Sequence, residues 1–137
     1  MYEPQKPKGE LLLGDELYQF EGTFNLLEAI ENSLKTGIIE IAQKGYNYKL
    51  NEISNIIFVL IKSTGKNKPL SEIQNEIMEL GIASDNYVNL CLQVFLFIRI
   101  CISKPSERAE VASKLGELIT GLKNTLVSHG KNTGNSV

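Results

Sequence analysis

Apolar residues recur along this chain with two different periods. Between Gly9 and Phe20 they flank a Gly14-Asp15 pair, with Leu11-Leu12-Leu13 on one side and Leu17-Tyr18-Gln19-Phe20 on the other. This is a β-hairpin pattern, with glycine at the position a type II′ turn requires. If Leu13 pairs with Glu16, then Leu11, Leu13, Tyr18 and Phe20 share one face. A lone hairpin is marginal in water, so that face must dock on helices or on another subunit.

After Gly22 the period lengthens to that of a helix. Thr23 is placed to cap a first helix with Leu27, Ile30 and Leu34 inside and Glu28, Glu31 and Lys35 outside. Thr36-Gly37 interrupts, and Ile38, Ile39, Ile41 and Ala42 make a short second helix. A third runs from Lys49 to Ser63 on a stripe of Leu50, Ile53, Ile57, Leu60 and Ile61. The Thr64–Pro69 loop breaks it. Ser71 with Gln74 has the spacing of a capping box, and Ile73, Ile77 and Leu80 line the helix that Gly81 closes. Asp85 is the expected cap of a long apolar helix over 86–103, on which Asn86, Asn89 and Gln93 form the only strip fit to meet water. Pro105 ends that helix region, and Ser106 is expected to cap a last helix through Val111, Leu115, Leu118, Leu122 and Leu126. The predicted fold is therefore mostly α, a small bundle of five to six helices with an N-terminal β-hairpin. Its core should contain Leu27, Ile30, Ile53, Ile57, Leu60, Ile77, Leu92 and Phe95. A flexible arm (1–8) precedes the main domain (9–103), and an amphipathic helix (104–128) and a disordered tail (129–137) follow.

Two apolar faces exceed what one small core needs: Leu11, Leu13, Tyr18 and Phe20 on the hairpin, and Val111, Leu115, Leu118, Leu122 and Leu126 near the C-terminus. Each either packs within the chain or binds protein. The last helix carries Gly116 and Gly121, which weaken it by up to ~1 kcal/mol each relative to Ala. It is thus a candidate to pair with a neighbouring subunit or to occupy the groove meant for a partner.

Composition narrows the function. The chain has 137 residues, 42% hydrophobic and 22% charged, the profile of one ordinary globular domain. Its net charge of -2 argues against a dedicated nucleic-acid binder. Positive charge is 12 Lys against 2 Arg, beside 15 Ile and 12 Asn, a bias typical of AT-rich coding sequence. The N-terminus is polar and broken by proline, without the apolar run of a secretory signal. The most apolar stretch, Tyr87–Ile102, has 16 residues and includes Asn89, Gln93 and Arg99, which reads as a core helix and not a membrane span.

Chemistry is sparse. The only histidine, His129, lies by the tail, too remote to activate a nucleophile in the core. No His/Cys cluster offers a zinc site, so no metal or cofactor is expected. Cys91 and Cys101, if on one helix, stand about 15 Å apart along its axis and cannot pair. Glu28 and Glu31 read as a solvated face. Ser63-Thr64-Gly65-Lys66 fails as a phosphate loop, because Leu60 and Asn67 stand where glycine and Ser/Thr are needed. The segment 51–80 is helix, loop, helix, yet its loop is too long for a helix-turn-helix. Its second helix carries Glu72, Glu76 and Glu79 with no basic residue.

One resemblance rests on the order of these parts. A leucine-rich hairpin leads into Thr23-Phe24, then Ile30-Glu31, then Gly37 before a short helix, and a helix with Leu50, Ile53, Ile56 and Ile57 precedes a helix ending at Leu80-Gly81. Over residues 9–102 this resembles the tail assembly chaperone family of gene transfer agents and tailed prophages, also described as a phage tail tube protein family. The resemblance implies a non-enzymatic, cytoplasmic protein of virion morphogenesis. It would bind and shield the helical tape measure protein during tail assembly, associate with itself, and be absent from the mature particle. It implies no membrane, nucleic-acid or small-molecule partner. The alternatives are a structural tail tube component and a helical DNA-binding regulator.

Overall fold

In a computed structural model, residues 7–135 are described, with side chains to residue 125. Strands β1 (Lys8–Leu13) and β2 (Glu16–Glu21) form the hairpin. Helices α1 (Phe24–Leu34), α2 (Ile38–Gln43), α3 (Leu50–Ser63), α4 (Leu70–Leu80), α5 (Asp85–Ile102) and α6 (Pro105–Asn135) follow. Among the described residues the fold is thus the expected mostly helical bundle with an N-terminal hairpin.

The hairpin register is Leu13↔Glu16, Leu11↔Tyr18 and Gly9↔Phe20. Gly14 sits at φ 64 while Asp15 does not enter the positive region, the combination a type II′ turn needs. The shared face of Leu11, Leu13, Tyr18 and Phe20 is buried in the core. Phe20 meets Phe97 of α5 edge to face, with ring centroids 4.8 Å apart. The approach is close because Gly9 has no side chain: a Cβ there would lie 2.3 Å from the Phe97 ring.

The core is built on α3 and α5. Ile53, Ile56, Ile57, Leu60 and Ile61 of α3 are buried, as are Leu90, Val94, Phe97, Ile98 and Ile100 of α5. Ile30 of α1 and Ile77 of α4 complete the expected set. Leu27, Leu92 and Phe95 are only half-buried. Leu92 and Phe95 flank the inner row of α5, which runs through positions 90, 94, 97 and 101 at spacings of 3 and 4.

Gln93 corrects the reading of α5. It does not face water but is 1% exposed. Its Oε1 accepts from Leu12 N–H at 2.7 Å, and its Nε2 donates to Leu12 C=O at 3.2 Å. Leu12 is a non-hydrogen-bonded partner of Leu17, so its peptide groups point away from β2 and need partners elsewhere. The glutamine carboxamide takes the place of a neighbouring strand.

Several helix ends also differ from expectation, each by a residue or two. Ser84, not Asp85, caps α5, with Oγ accepting from Tyr87 N–H, and Asp85 enters the first turn, where its charge suits the helix dipole. Pro69 takes the α4 cap position in extended conformation, so Ser71 lies inside the helix and forms no capping box. Pro105 opens α6 ahead of Ser106, at the position where a missing N–H costs nothing. Lys8 belongs to β1 and not to the arm; the arm's residues 1–6 lie outside the described residues. Residues 129–135, where the sequence shows no period, continue α6 to Asn135. A polar stretch has no apolar period to read, and no proline breaks the backbone ladder there. Residues 136–137 lie outside the described residues.

Helix α5 is long and apolar enough to cross a membrane, with a mean hydropathy of 1.3 over 18 residues. Here it packs between α6 and β1 and supplies Phe97 and Ile98 to the core.

Candidate protein-binding site

The side chains first expected to bind protein are mostly spent inside the fold. Leu11, Leu13, Tyr18 and Phe20 contact the helices of their own chain. On α6, Leu115 is buried and Val111, Leu118 and Leu122 are half-buried, while the Leu126 side chain lies outside the described residues. Ile119, not counted in that stripe, is 1% exposed. The face α6 presents to α5 and β1 therefore centres on Leu115 and Ile119, one turn apart.

Other residues with singled-out chemistry have structural partners. Glu31 Oε2 accepts from Ile38 N–H at 2.8 Å and so caps α2, whose cap residue Gly37 has no side chain to do so. The Thr64–Pro69 loop closes over the hairpin. Lys66 Nζ pairs with Glu16 at 3.1 Å, Lys68 Nζ with Glu76 at 2.6 Å, and both ammonium groups lie over the Tyr18 ring. The Tyr18 hydroxyl and the Lys66 ammonium hold the Glu16 carboxyl below the usual range. No group of three His, Cys, Asp or Glu side chains that could hold a metal occurs among the described residues. Cys91 and Cys101 are free buried thiols; burial pushes Cys101 up to about 12.

What the fold does assemble is an apolar surface at one end. Seven large hydrophobic side chains are exposed among the described residues, and five of them, Tyr46, Leu50, Met78, Ile82 and Val88, line two adjoining clefts. The first cleft, about 290 Å³, lies between Leu50, Asn51 and Ser54 of α3 and Gln74, Ile77 and Met78 of α4. The second, about 420 Å³, lies between the 44–48 loop and Tyr87, Val88 and Cys91 of α5. Ile82 lines both, so the two clefts meet at that side chain. Met78 is 65% exposed and Leu50 49%, large values for side chains of this size beside a formed core. Leu50 was expected inside, but it occupies the first position of α3, one turn ahead of the buried row.

The charged side chain lining the clefts is Lys44, in the second. Lys44 pairs with Glu52, which also accepts from Lys49 N–H at 2.8 Å. Partial burial raises the Glu52 carboxyl, but those two partners outweigh it and hold the group below its ordinary value. Tyr87 and Cys91, one turn apart on α5, also line the second cleft. Burial pushes Tyr87 up to about 12 and raises Cys91 and Tyr48. These groups are neutral at pH 7. Neither family models, nor curated proteins, nor solved structures provide a match to this chain.

Proposed function

We propose that the protein is a non-enzymatic binding protein that shields an amphipathic helix of a partner, as a tail assembly chaperone shields the tape measure protein. The observation that carries this reading is the cluster of exposed apolar side chains, Leu50, Met78, Ile82, Tyr46 and Val88, that lines two clefts meeting at Ile82. Apolar grooves of this kind take helices by their i, i+3, i+4 and i+7 side chains. A contiguous exposed apolar patch on a small domain marks an interaction surface. The order of the hairpin and helices, which resembles that of tail assembly chaperones, supplies the choice of partner.

The test is co-purification with a fragment of a tape measure protein. The wild type is expected to hold the fragment in solution. The double variant Met78→Asp, Ile82→Asp, changed only at exposed side chains, is expected to lose it. A fragment held equally by both moves binding away from the groove, and one held by neither removes the chaperone reading. Recovery of the chain from purified particles at tube stoichiometry would replace it with a structural tail component.

A further inference from the structure

The loop between α2 and α3 supplies residues 44–48 as one wall of the second cleft, which Cys91 also lines although only 2% of that residue is exposed. The hydrogen bonds of this loop are all short-range. The N–H groups of Lys44, Gly45 and Asn47 donate to carbonyls three residues back, at Ile41, Ala42 and Lys44. Glu52 of α3 holds both ends, taking the Lys49 N–H on one oxygen and the Lys44 ammonium on the other. Among the described residues, no hydrogen bond or ion pair joins the loop to α4 or α5. Two tyrosines hold it down instead. Tyr46, half exposed, meets Phe95 of α5 edge on, with ring centroids 6.4 Å apart. Tyr48 is 7% exposed, and its hydroxyl is closed to solvent with no hydrogen-bond partner among the described residues. A hydroxyl shut in without a partner destabilises the conformation that shuts it in, and it regains water when that conformation opens.

We infer that residues 45–48 are a gate to the second cleft: the segment swings out between its Glu52-held ends, hydrates the Tyr48 hydroxyl and bares Cys91. The wall is anchored at both ends, lightly held in the middle, and carries a group that opening relieves. Gly45 serves as one hinge, at φ 65, where even an added side chain would meet nothing within 4 Å. Lys49, extended ahead of α3, serves as the other. A segment with so few bonds to the rest of the fold opens at a free energy well below that of global unfolding. Because the Glu52 contacts lie at the two ends, α3 and α5 keep their packing while the segment moves. A ligand that needs the opened cleft binds more weakly by the fraction of time the gate stands open, so the Tyr48 hydroxyl tunes affinity without touching the ligand. The gate belongs to the wall and not to its visitor, and it stands whether or not the occupant of the clefts is a helix.

The test is alkylation of the full native chain with iodoacetamide, followed at Cys91 by mass spectrometry across a series of urea concentrations below the unfolding transition. Opening of four residues exposes little surface, so the Cys91 rate in wild type is expected to be nearly flat in urea and faster than global unfolding allows. Tyr48→Phe removes the unpaired hydroxyl. It is expected to slow Cys91 about tenfold at low urea and to melt no lower than wild type. Tyr46→Ala removes the ring contact with Phe95 and is expected to speed Cys91 while leaving the rate flat in urea. A wild-type rate that climbs with the full urea slope of unfolding would overturn the gate, since Cys91 would then open only with the whole fold. A Tyr48→Phe protein that melts below wild type, or in which Cys91 reacts as fast or faster, would also overturn it, because the hydroxyl would then be satisfied within the closed loop. A Cys91 rate unmoved by Tyr46→Ala would overturn the loop as the moving part.

Discussion

Gln93 looked like surface and is core. It shares a narrow strip of an apolar helix with Asn86 and Asn89, and polar residues on such helices normally mark the wet side. What reverses the reading is a demand from 81 residues away, the peptide group of Leu12 on the outer edge of β1. That demand is invisible in the sequence around position 93. Replacing Gln93 with Leu keeps the volume and leaves two backbone groups buried without partners. We expect a loss of about 3 kcal/mol. For a chain this size that lowers the melting temperature by about 10 °C, measurable by calorimetry. Gly9→Ala tests the opposite fault, too much atom in place of too little. Its Cβ would collide with the rings of Phe97 and Phe20, at a cost of about 1–3 kcal/mol in denaturant titrations.

At the scale of elements, the pattern of the chain was a good guide to existence and a poor one to ends. The hairpin register was legible because Gly14 allows one tight turn and the alternation around it fixes the faces. The helices were legible because Ile53, Ile57, Leu60 and Ile61 repeat at the helical period. Caps were less so, because Ser84 and Asp85 are both good caps and only the backbone decides between them. The groove was not legible at all. Tyr46, Leu50, Met78, Ile82 and Val88 come from separate stretches of chain, and each alone resembles an ordinary surface or core position. For α6, burial of Leu115 and Ile119 against α5 and β1 gives a definite expectation. A chain ending at Ser103 should bare Cys101 and Leu12 and either precipitate or melt well below the full chain. Unchanged melting and sizing of that shortened chain would show that α6 adds nothing to the core.

For the whole molecule, stability should fall in acid in a predictable window. Glu52 and Glu16 have folded-state pKa values below their ordinary ones, so each contributes fully above about pH 4.5. Their contribution disappears as pH drops through the lowered folded values. Melting temperature measured from pH 6 to pH 3 should decline, and less steeply in Glu52→Gln, which can no longer titrate. A decline equally steep in that variant would assign the acid sensitivity to other carboxylates. Salt should weaken the Lys66–Glu16 pair first, since both side chains are about half exposed. It should leave the groove's apolar contacts intact.

The clamp between Gln93 and Leu12 also sets a schedule. The hairpin leaves the ribosome before the helices, but the side chain that completes its edge is made 81 residues later. At typical elongation rates of about 5–20 residues per second that is a wait of about 4–16 s. Throughout it, the outer edge of β1 is an open template on which another nascent strand can pair. Neighbouring ribosomes on one message hold such edges close together, so crowding on the message is the moment of greatest risk for this fold. Chains stalled before residue 93 should therefore show rapid amide exchange at Leu12, and chains stalled well beyond it should show protection.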